Sequence, residues 1–245
     1  MSDIRDLKEI IENAESIVFF GGAGVSTDSG IPDFRGNGGI YNKNDEDYDE
    51  PPEVILSRPY LLTRPRSFYR YYRDNMLYPY AEPNDAHIAL AKLEESGKLS
   101  AVITQNIDGL HQAAGSKNVI ELHGSVHRNY CVRCGKKYSL SYVLESDVIP
   151  TCKECGAMVR PDVVLYGEGL DNEAFSKAED EVYNADVMIV GGTSLTVHPA
   201  SSLVDAFEGE HLIIINKTPT PYDDYAEYVV RDSVSEVLRE ISEEF

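Results

Sequence analysis

Basic residues are scarce in this chain: its 245 residues include 22 Lys and Arg against 42 Asp and Glu, a formal net charge of −20. A protein that binds nucleic acid carries a basic surface, and anionic membranes also attract basic segments. The composition therefore argues against a nucleic-acid partner and against a membrane partner. Two interpretations of the excess acid stay open: it keeps the protein soluble, or it attracts lysine-rich segments of other proteins.

Long apolar runs are also missing, since none approaches the roughly 20 residues that span a bilayer. The first residues, MSDIRD, lack the basic and apolar regions of a signal peptide. We therefore expect a cytoplasmic protein, and in that compartment cysteines are reduced thiols rather than disulfides. The hydrophobic fraction of 42% is ordinary for a chain that folds around its own core.

Cysteine is limited to four residues, which form two C-x2-C pairs separated by 17 residues, Cys131 with Cys134 and Cys152 with Cys155. Each pair can present two thiolates to one ion, and a glycine directly after each pair favours the necessary tight turn. A redox C-x-x-C interpretation accounts for only one pair. We predict one zinc ion per chain, structural rather than catalytic, because four thiolates leave no coordination position open.

Short apolar runs alternate with helical patterns along most of the chain. The runs predict buried strands at residues 16–20, 101–104, 119–122, 187–190 and 212–215. Apolar periodicity predicts helices that end near Asn13 or cover residues 85–96, 172–184, 201–207 and 233–244, the last with Ser233 and Glu236 as a capping box. This alternation predicts an α/β fold with a doubly wound, mostly parallel, Rossmann-like sheet.

Two stretches interrupt the alternation. Residues 37–83 are rich in Asn, Asp, Tyr and Pro, with one helix predicted near 65–76, and residues 127–160 contain all four cysteines. We predict that these stretches form a smaller inserted domain, made of a helical module and a zinc ribbon. The main domain then consists of residues 1–36, 84–126 and 161–245.

A glycine-rich loop, residues 21–24, directly follows the first predicted strand. Such a loop between a strand and a helix brings backbone N–H groups to a phosphate. The usual dinucleotide fingerprint is incomplete, because Thr27 stands where its third glycine belongs. The acid expected about 20 residues later also cannot be placed on a strand. These departures disfavour an ordinary dehydrogenase and still favour nucleotide binding.

Residues 22–35, GAGVSTDSGIPDFR, resemble the signature of the sirtuins, NAD-dependent protein deacylases. The stretch TQNID at 104–108, His123-Gly124, the two cysteine pairs, GTSL at 192–195 and Asn216 follow in that family's order. The resemblance covers residues 16 to about 233 and is to the bacterial and archaeal type. It implies that the main domain binds NAD as a co-substrate and that the partners are proteins or peptides containing acetyl-lysine.

The resemblance also implies roles for individual residues. Phe34 shields the reacting ribose carbon and Arg35 assists cofactor placement; the alternative is core packing for Phe34 and a surface charge for Arg35. Asn106 and Asp108 hold the ribose and the nicotinamide carboxamide. The implied cofactor-binding residues are Gly22, Ala23, Gly24, Thr27, Asp33, Phe34, Arg35, Gln105, Asn106, Ile107, Asp108, His123, Gly192, Thr193, Ser194, Asn216, Lys217 and Asp232.

His123 is the candidate general base, at the end of a predicted strand. Imidazole titrates at about pH 6.5 and can accept a proton at cellular pH. Position alone leaves a structural histidine equally open, whereas the resemblance implies catalytic roles for His123 and Asn106. The other histidines have no comparable signal, and we expect His87 and His111 to form hydrogen bonds within helices.

Residues 163–168 resemble the segment that receives the substrate as an added strand, bound through main-chain hydrogen bonds. The implied substrate contacts are Val164, Tyr166, Gly167, Glu168, Leu195 and Val197. Sirtuins that remove succinyl groups carry a Tyr-x-x-Arg pair, but here Tyr69 is followed by Tyr72 at the arginine position. We therefore expect acetyl and longer uncharged acyl groups to be preferred over succinyl.

The implied reaction transfers the acyl group to ADP-ribose and releases nicotinamide, with His123 removing a proton from the ribose hydroxyls. Two alternatives from other classes stay open. The first is ADP-ribosyl transfer to protein, which differs in where the ADP-ribose ends. The second is a non-catalytic module that senses NAD or uses its zinc ribbon for interaction. A base such as His123 argues against this module, because binding alone needs no base.

Overall fold

The computed structural model describes residues 2–36, 38–42 and 48–245. Its strands are β1 (Ile17–Gly21), β2 (Leu99–Thr104), β3 (Val119–Glu121), β4 (Gly124–Cys131), β5 (Lys137–Tyr138), β6 (Val159–Val163), β7 (Val187–Gly191), β8 (His211–Ile215) and β9 (Tyr228–Val230). Its α-helices are α1 (Ser2–Asn13), α2 (Pro52–Ile55), α3 (Arg58–Thr63), α4 (Pro65–Asn75), α5 (Asp85–Glu95), α6 (Leu110–Ala114), α7 (Leu140–Glu145), α8 (Asn172–Tyr183) and α9 (Val234–Ile241).

The main sheet has six strands in the order β3-β2-β1-β7-β8-β9, and every neighbouring pair is parallel. The chain builds one half outward from β1 and then crosses to β7, so the strand order reverses between β1 and β7. Ligands of open α/β sheets bind outside the carboxyl ends of the strands at such a reversal. The predicted doubly wound, Rossmann-like fold is confirmed.

Both faces of this sheet are covered, which explains why its strands are continuous apolar runs instead of alternating ones. Successive side chains of a strand point to opposite faces. Phe19 therefore packs in a cluster with α1, α5 and α9. Phe20 packs on the opposite face with α8 and with the segment Ala200–Ala206. All the side chains of β1 and β7 are buried.

Local details differ from the sequence predictions at three places. The segment predicted as a helix at 201–207 is a 3-10 helix, Ala200–Ala206. The glycine loop leads into two short 3-10 turns, Ala23–Val25 and Thr27–Ser29, and not into an α-helix. Ser233 is the N-cap residue of α9, but the predicted capping box is wrong, because the Ser233 side chain accepts no hydrogen bond from the helix. Its hydroxyl donates to the Asp28 carboxylate at 2.8 Å.

A second, antiparallel sheet has the order β5-β4-β6, and the cysteines lie at the end of this sheet where β4 finishes with Cys131. Side chains of the helical module α2–α4 and of α7 share one apolar cluster, which includes Leu61, Phe68 and Val143. The two inserted stretches thus pack together, although residues 37 and 43–47 of the predicted small domain lie outside the described residues. Over the described ranges, we find no helix with the length and hydropathy that a bilayer-spanning segment needs.

Candidate active site

A cavity of about 1330 Å³ opens at the carboxyl ends of the parallel strands. Each strand of the main sheet contributes a residue just beyond its end: Gly22 after β1, Gln105 after β2, His123 after β3, Gly192 after β7, Asn216 after β8 and Asp232 after β9. Side chains of the two inserted stretches, Leu56, Tyr72 and Leu140 among them, line the opposite wall. The cavity therefore lies where the reversal in strand order predicts a ligand.

The cavity wall brings together every residue that the resemblance implied for the cofactor. It also contains five of the six implied substrate contacts, namely Val164, Tyr166, Gly167, Glu168 and Val197. Leu195 is the exception, because its side chain is 3% exposed and packs in the core below the sheet end. The individual roles of these residues stay predictions.

The glycine loop fits closely against the loop after β7. A Cβ atom on Gly24 would lie 2.7 Å from the Cα of Gly192, so a side chain has no room there. The N–H of Gly22 donates to the Gly191 carbonyl at 3.1 Å, and the N–H of Gly24 donates to the Gly192 carbonyl at 2.8 Å. Our expectation that the loop offers its N–H groups to a phosphate is therefore wrong for these two, which hold neighbouring loops together.

Ser26 is the centre of a buried polar network on the cavity wall. Its hydroxyl accepts a hydrogen bond from the Asn106 carboxamide at 3.0 Å and donates one to the Asp108 carboxylate at 2.7 Å. The other Asp108 oxygen accepts from the N–H of Leu110 at 2.9 Å. Burial raises the pKa of Asp108, and the two hydrogen bonds oppose that rise. The network fixes a carboxamide and a carboxylate in one orientation towards the cavity.

His123 has the geometry of a proton acceptor. Its Nδ1 atom lies 2.9 Å from the carbonyl oxygen of Gln105. Because a carbonyl only accepts, Nδ1 carries the ring proton and Nε2 holds the free lone pair. Burial lowers the pKa of His123 below its usual 6.5, so the ring is neutral at cellular pH. The arrangement can remove a proton from a hydroxyl group in the cavity.

Residues 33–36 and 38–42 belong to a loop that covers part of the cavity. Main-chain bonds tie its two ends, from the N–H of Ile40 to the Asp33 carbonyl at 2.8 Å and from the N–H of Tyr41 to the Phe34 carbonyl at 3.0 Å. The Phe34 ring packs on the Tyr41 ring with centroids 5.5 Å apart, and the Arg35 guanidinium lies 5.4 Å from that same ring. Phe34 thus has packing contacts and a place on the cavity wall.

The segment after β6, residues 164–168, forms main-chain hydrogen bonds with residues 56–58. The N–H of Tyr166 donates to the Leu56 carbonyl, and its carbonyl accepts from the N–H of Arg58, both at 3.0 Å. The Glu168 carboxylate turns back to Arg160, at 2.6 and 2.9 Å, and accepts from the N–H of Leu165. Glu168 therefore shapes the segment, while the Tyr166 and Tyr41 hydroxyls form a hydrogen bond across the cavity mouth.

The four cysteines form a cluster in the antiparallel sheet. Their sulfur atoms all lie within 4.8 Å of one another, and the two nearest pairs are Cys131 with Cys155 at 3.4 Å and Cys134 with Cys152 at 3.5 Å. Disulfide sulfurs would be about 2.05 Å apart, so these are free thiols. The Tyr138 hydroxyl donates to the sulfur of Cys152 at 3.1 Å and is the main cause that lowers the pKa of that thiol to about 6. The cluster could bind a metal ion.

Sequence reasoning missed several residues of the cavity. Ser26 lies inside the quoted signature, and a polar residue within a glycine loop was the available signal. His127 and His198 also line the cavity, although neither gave a signal in the sequence. The expectation of a hydrogen bond within a helix is wrong for His111, since neither ring nitrogen has a partner among the described residues. It holds for His87, which caps its own helix.

The strand order of the parallel sheet reverses where loop glycines, a carboxamide, a carboxylate and an imidazole meet. This arrangement is typical of a nucleotide-binding α/β protein, and the imidazole is a candidate base. The model of one family, described as "Sir2 family", matches residues 22–199. The chain therefore belongs to the Sir2 family.

Similar proteins cover the whole chain. A Clostridium acetobutylicum protein named "NAD-dependent protein deacetylase" is 52% identical over 242 residues, which are 98% of each chain. A Clostridium tetani protein of the same name is 52% identical over 245 residues, covering 100% of this chain and 99% of that protein. A solved structure described as a Sir2 complex with a p53 peptide and NAD+ has a TM-score of 0.84 at 42% identity, covering 100% of this chain and 98% of the other.

Proposed function

We propose that this chain is an NAD-dependent protein-lysine deacetylase that transfers the acetyl group to ADP-ribose and releases nicotinamide. The observation that carries this proposal is the His123 ring, whose Nδ1 proton is committed to the Gln105 carbonyl and whose Nε2 is left basic beside the cavity. The names of the similar clostridial proteins support it. So do solved Sir2 structures described with an acetylated peptide and with NAD+.

The cavity fits a dinucleotide in size and in chemistry. Its volume of about 1330 Å³ exceeds the roughly 300–1,000 Å³ usual for small-molecule sites. Beside β1 and β2, Asn106 and Asp108 offer fixed polar groups, which suit the nicotinamide carboxamide and a ribose. Beside β7 to β9, Thr193, Asn216 and Asp232 offer acceptors and donors for the adenosine half. When bound, NAD supplies the ADP-ribose that receives the acetyl group and the nicotinamide that leaves.

The chain's own residues then act around the reacting centre. We assign proton acceptance to His123 Nε2, because the Nδ1 proton is anchored on Gln105. The Asn106 carboxamide is fixed by its hydrogen bond to the Ser26 hydroxyl and would orient polar groups of the bound NAD. The Phe34 ring on the covering loop would exclude water from the site, which strengthens the polar interactions inside it. Acetyl-lysine segments would enter beside Tyr166 and Gly167, and we place the protein in the cytoplasm.

We also propose that the four cysteines hold one structural zinc ion. Thiolates at the usual Zn–S distance of about 2.3 Å sit about 3.8 Å apart around a tetrahedral ion. The sulfur separations in the cluster bracket that value, from 3.4 Å to no more than 4.8 Å. No cysteine lines the cavity within the described residues. The metal would therefore stabilise the small domain without taking part in the reaction.

Mass spectrometry of an acetylated peptide, with and without NAD, tests the proposed reaction. We expect loss of the acetyl group only with NAD, together with one nicotinamide and one O-acetyl-ADP-ribose per peptide. If the ADP-ribose appeared on protein instead, the chain would be an ADP-ribosyltransferase. Binding of NAD without any turnover would identify a non-catalytic sensing module.

We expect the protein to prefer acetyl groups over succinyl groups. Tyr72 occupies the position of the carboxylate-binding arginine and lines the cavity. The next candidate, Arg73, is committed elsewhere, since its guanidinium donates to the carbonyls of Val143 at 3.0 Å and Asp147 at 2.8 Å. A succinyl carboxylate would lose solvent without meeting this cation, at a cost of several kcal/mol. We expect kcat/KM for acetyl-peptide to exceed that for succinyl-peptide by roughly 100-fold.

Matched acetyl and succinyl peptides of one sequence measure this preference. The variant Tyr72→Arg restores the tyrosine-arginine pair and should narrow the difference, because arginine can bind a carboxylate through two hydrogen bonds. Arg73→Lys should leave the ratio unchanged. Comparable kcat/KM values for the two peptides on the wild-type protein would contradict the prediction.

A further inference from the structure

A chain of hydrogen bonds runs from the start of α5 to the cofactor side of the cavity. The backbone N–H of Asn84 lies 3.2 Å from His87 Nδ1. On the other side of the ring, His87 Nε2 lies 3.5 Å from the hydroxyl of Ser26. That hydroxyl lies 2.7 Å from an Asp108 oxygen. A fully buried histidine thus connects a helix N-terminus to a carboxylate on the cavity wall.

The direction of each bond in this chain is determined by the groups at its two ends. A backbone N–H only donates, so His87 Nδ1 accepts from Asn84 and carries no proton. Burial lowers the pKa of His87 to about 4, so the ring is neutral near pH 7 and its single proton lies on Nε2. Nε2–H can then only donate to Ser26. The one hydroxyl proton of Ser26 is left to point at Asp108.

The two lone pairs of the Ser26 oxygen are also accounted for. One accepts from the Asn106 carboxamide at 3.0 Å, and the other accepts from His87 at 3.5 Å. With the opposite His87 tautomer, the Asn84 N–H would face another N–H. Ser26 could then turn its proton to His87, and Asp108 would lose a donor. The position of the His87 proton therefore decides how both Asn106 and Asp108 are held.

We propose that His87 is a positioning residue of this enzyme, which fixes the Ser26 proton on Asp108 and so keeps Asn106 and Asp108 in the orientation that binds NAD. The inference rests on the proposed function. It assigns His87 no contact with the cofactor, and its effect passes through the Ser26 hydroxyl. His87 does not line the cavity in the described part of the chain.

Two substitutions separate positioning from helix capping. In His87→Asn, the amide oxygen takes the place of Nδ1 and still accepts from Asn84, but nothing reaches Ser26. In His87→Gln, the amide nitrogen takes the place of Nε2 and donates to Ser26, but the cap is lost. We expect His87→Asn to weaken NAD binding roughly tenfold, as loss of a hydrogen bond that orders a charged group does. His87→Gln should stay near wild type in binding while its Tm falls.

The measurement is the affinity for NAD by titration calorimetry without peptide, with KM for NAD and for acetyl-peptide as a second readout. KM for peptide should not change. In a Ser26→Ala background, His87→Asn should have no further effect on NAD affinity, because its route through Ser26 is gone. His111→Leu is the control, since His111 is equally buried, lies 4.7 Å from the His87 ring and has no hydrogen-bond partner among the described residues. That variant should bind NAD normally.

A merely structural His87 would give the reverse pattern: normal NAD affinity in His87→Asn and weaker affinity in His87→Gln. That pattern, or a full additional loss in the Ser26→Ala background, would overturn the inference. Wild-type protein that binds NAD but does not deacetylate would contradict the proposed function and leave this test intact. Absence of NAD binding in the wild type would overturn both.

Discussion

Replacing His123 by alanine is expected to lower kcat/KM for deacetylation by roughly 10²–10⁴-fold, the usual contribution of a general base. The physical reason is specific to Nε2. The Gln105 carbonyl holds the proton on Nδ1 and leaves Nε2 basic on a ring that lines the cavity. Alanine removes this base and its hydrogen bond to Gln105, but keeps the main-chain hydrogen bond from the N–H of Val164 to the His123 carbonyl. Steady-state kinetics with an acetylated peptide and NAD measure the loss.

The matched control is His198→Ala. His198 also lines the cavity, and its Nδ1 contacts the Ser201 hydroxyl at 3.2 Å, but it has no assigned part in proton transfer. NAD affinity should change little in either variant, because neither ring is a main contact of the cofactor. Turnover near wild type in His123→Ala, or an equal loss in the control, would remove His123 from its role.

The same assignment determines the pH dependence. The base works in its neutral form, and burial lowers the pKa of His123 below 6.5. As pH falls, the neutral fraction is retained until this lowered pKa is reached, and only then is activity lost. The acid limb of kcat/KM should therefore lie below pH 6.5, with a plateau above it. An acid limb centred above pH 7 would contradict the neutral, buried base.

Most strands of the main sheet could be predicted from the sequence, because they are buried on both faces and are therefore apolar throughout. Short apolar runs flanked by helices, such as residues 187–190 and 212–215, predict buried parallel strands. Both are strands in the parallel sheet. The edge strand β9 escaped prediction because its apolar run, Tyr228–Val230, is only three residues long and half-buried. The strands of the antiparallel sheet escaped for a related reason: β5 has two residues and β4 alternates irregularly.

The cavity was predictable as a set of residues and much less as a set of contacts. Motifs named Asn106, Asp108 and His123, and all three line the cavity. Ser26, which forms hydrogen bonds with both Asn106 and Asp108, lies 80 residues from Asn106 in sequence. Only the fold brings the Ser26 hydroxyl and the Asn106 amide nitrogen to 3.0 Å. Likewise, the glycine pattern predicted free backbone N–H groups. In the structure the loop packs closely against Gly192, and the N–H groups of Gly22 and Gly24 donate to the carbonyls of Gly191 and Gly192. Pairings between distant loops have no local signature.

Replacing Cys152 by alanine is expected to unfold the small domain and abolish deacetylation. A structural zinc site contributes an apparent 10–16 kcal/mol, roughly as much as the whole stability of a domain. The apolar cluster beneath the thiols is small: its buried residues are Cys131, Cys152 and Val159. It cannot replace the metal as a core. Since the central strand β4 runs from the cavity-lining Ser125 and His127 to Cys131, the damage should reach the active site.

Elemental analysis should find one zinc per wild-type chain and none in Cys152→Ala, with a lower Tm by circular dichroism. Val132→Ala is the matched control, because this residue lies between two cysteines and is 49% exposed, so its loss costs little burial and no ligand. Chelator should act on the wild type as the cysteine substitution does, and added zinc should restore activity only while Cys152 is present. If Cys152→Ala kept its Tm and its activity in chelator, the thiols would not be holding a structural metal, and the small sheet would depend on its apolar contacts alone.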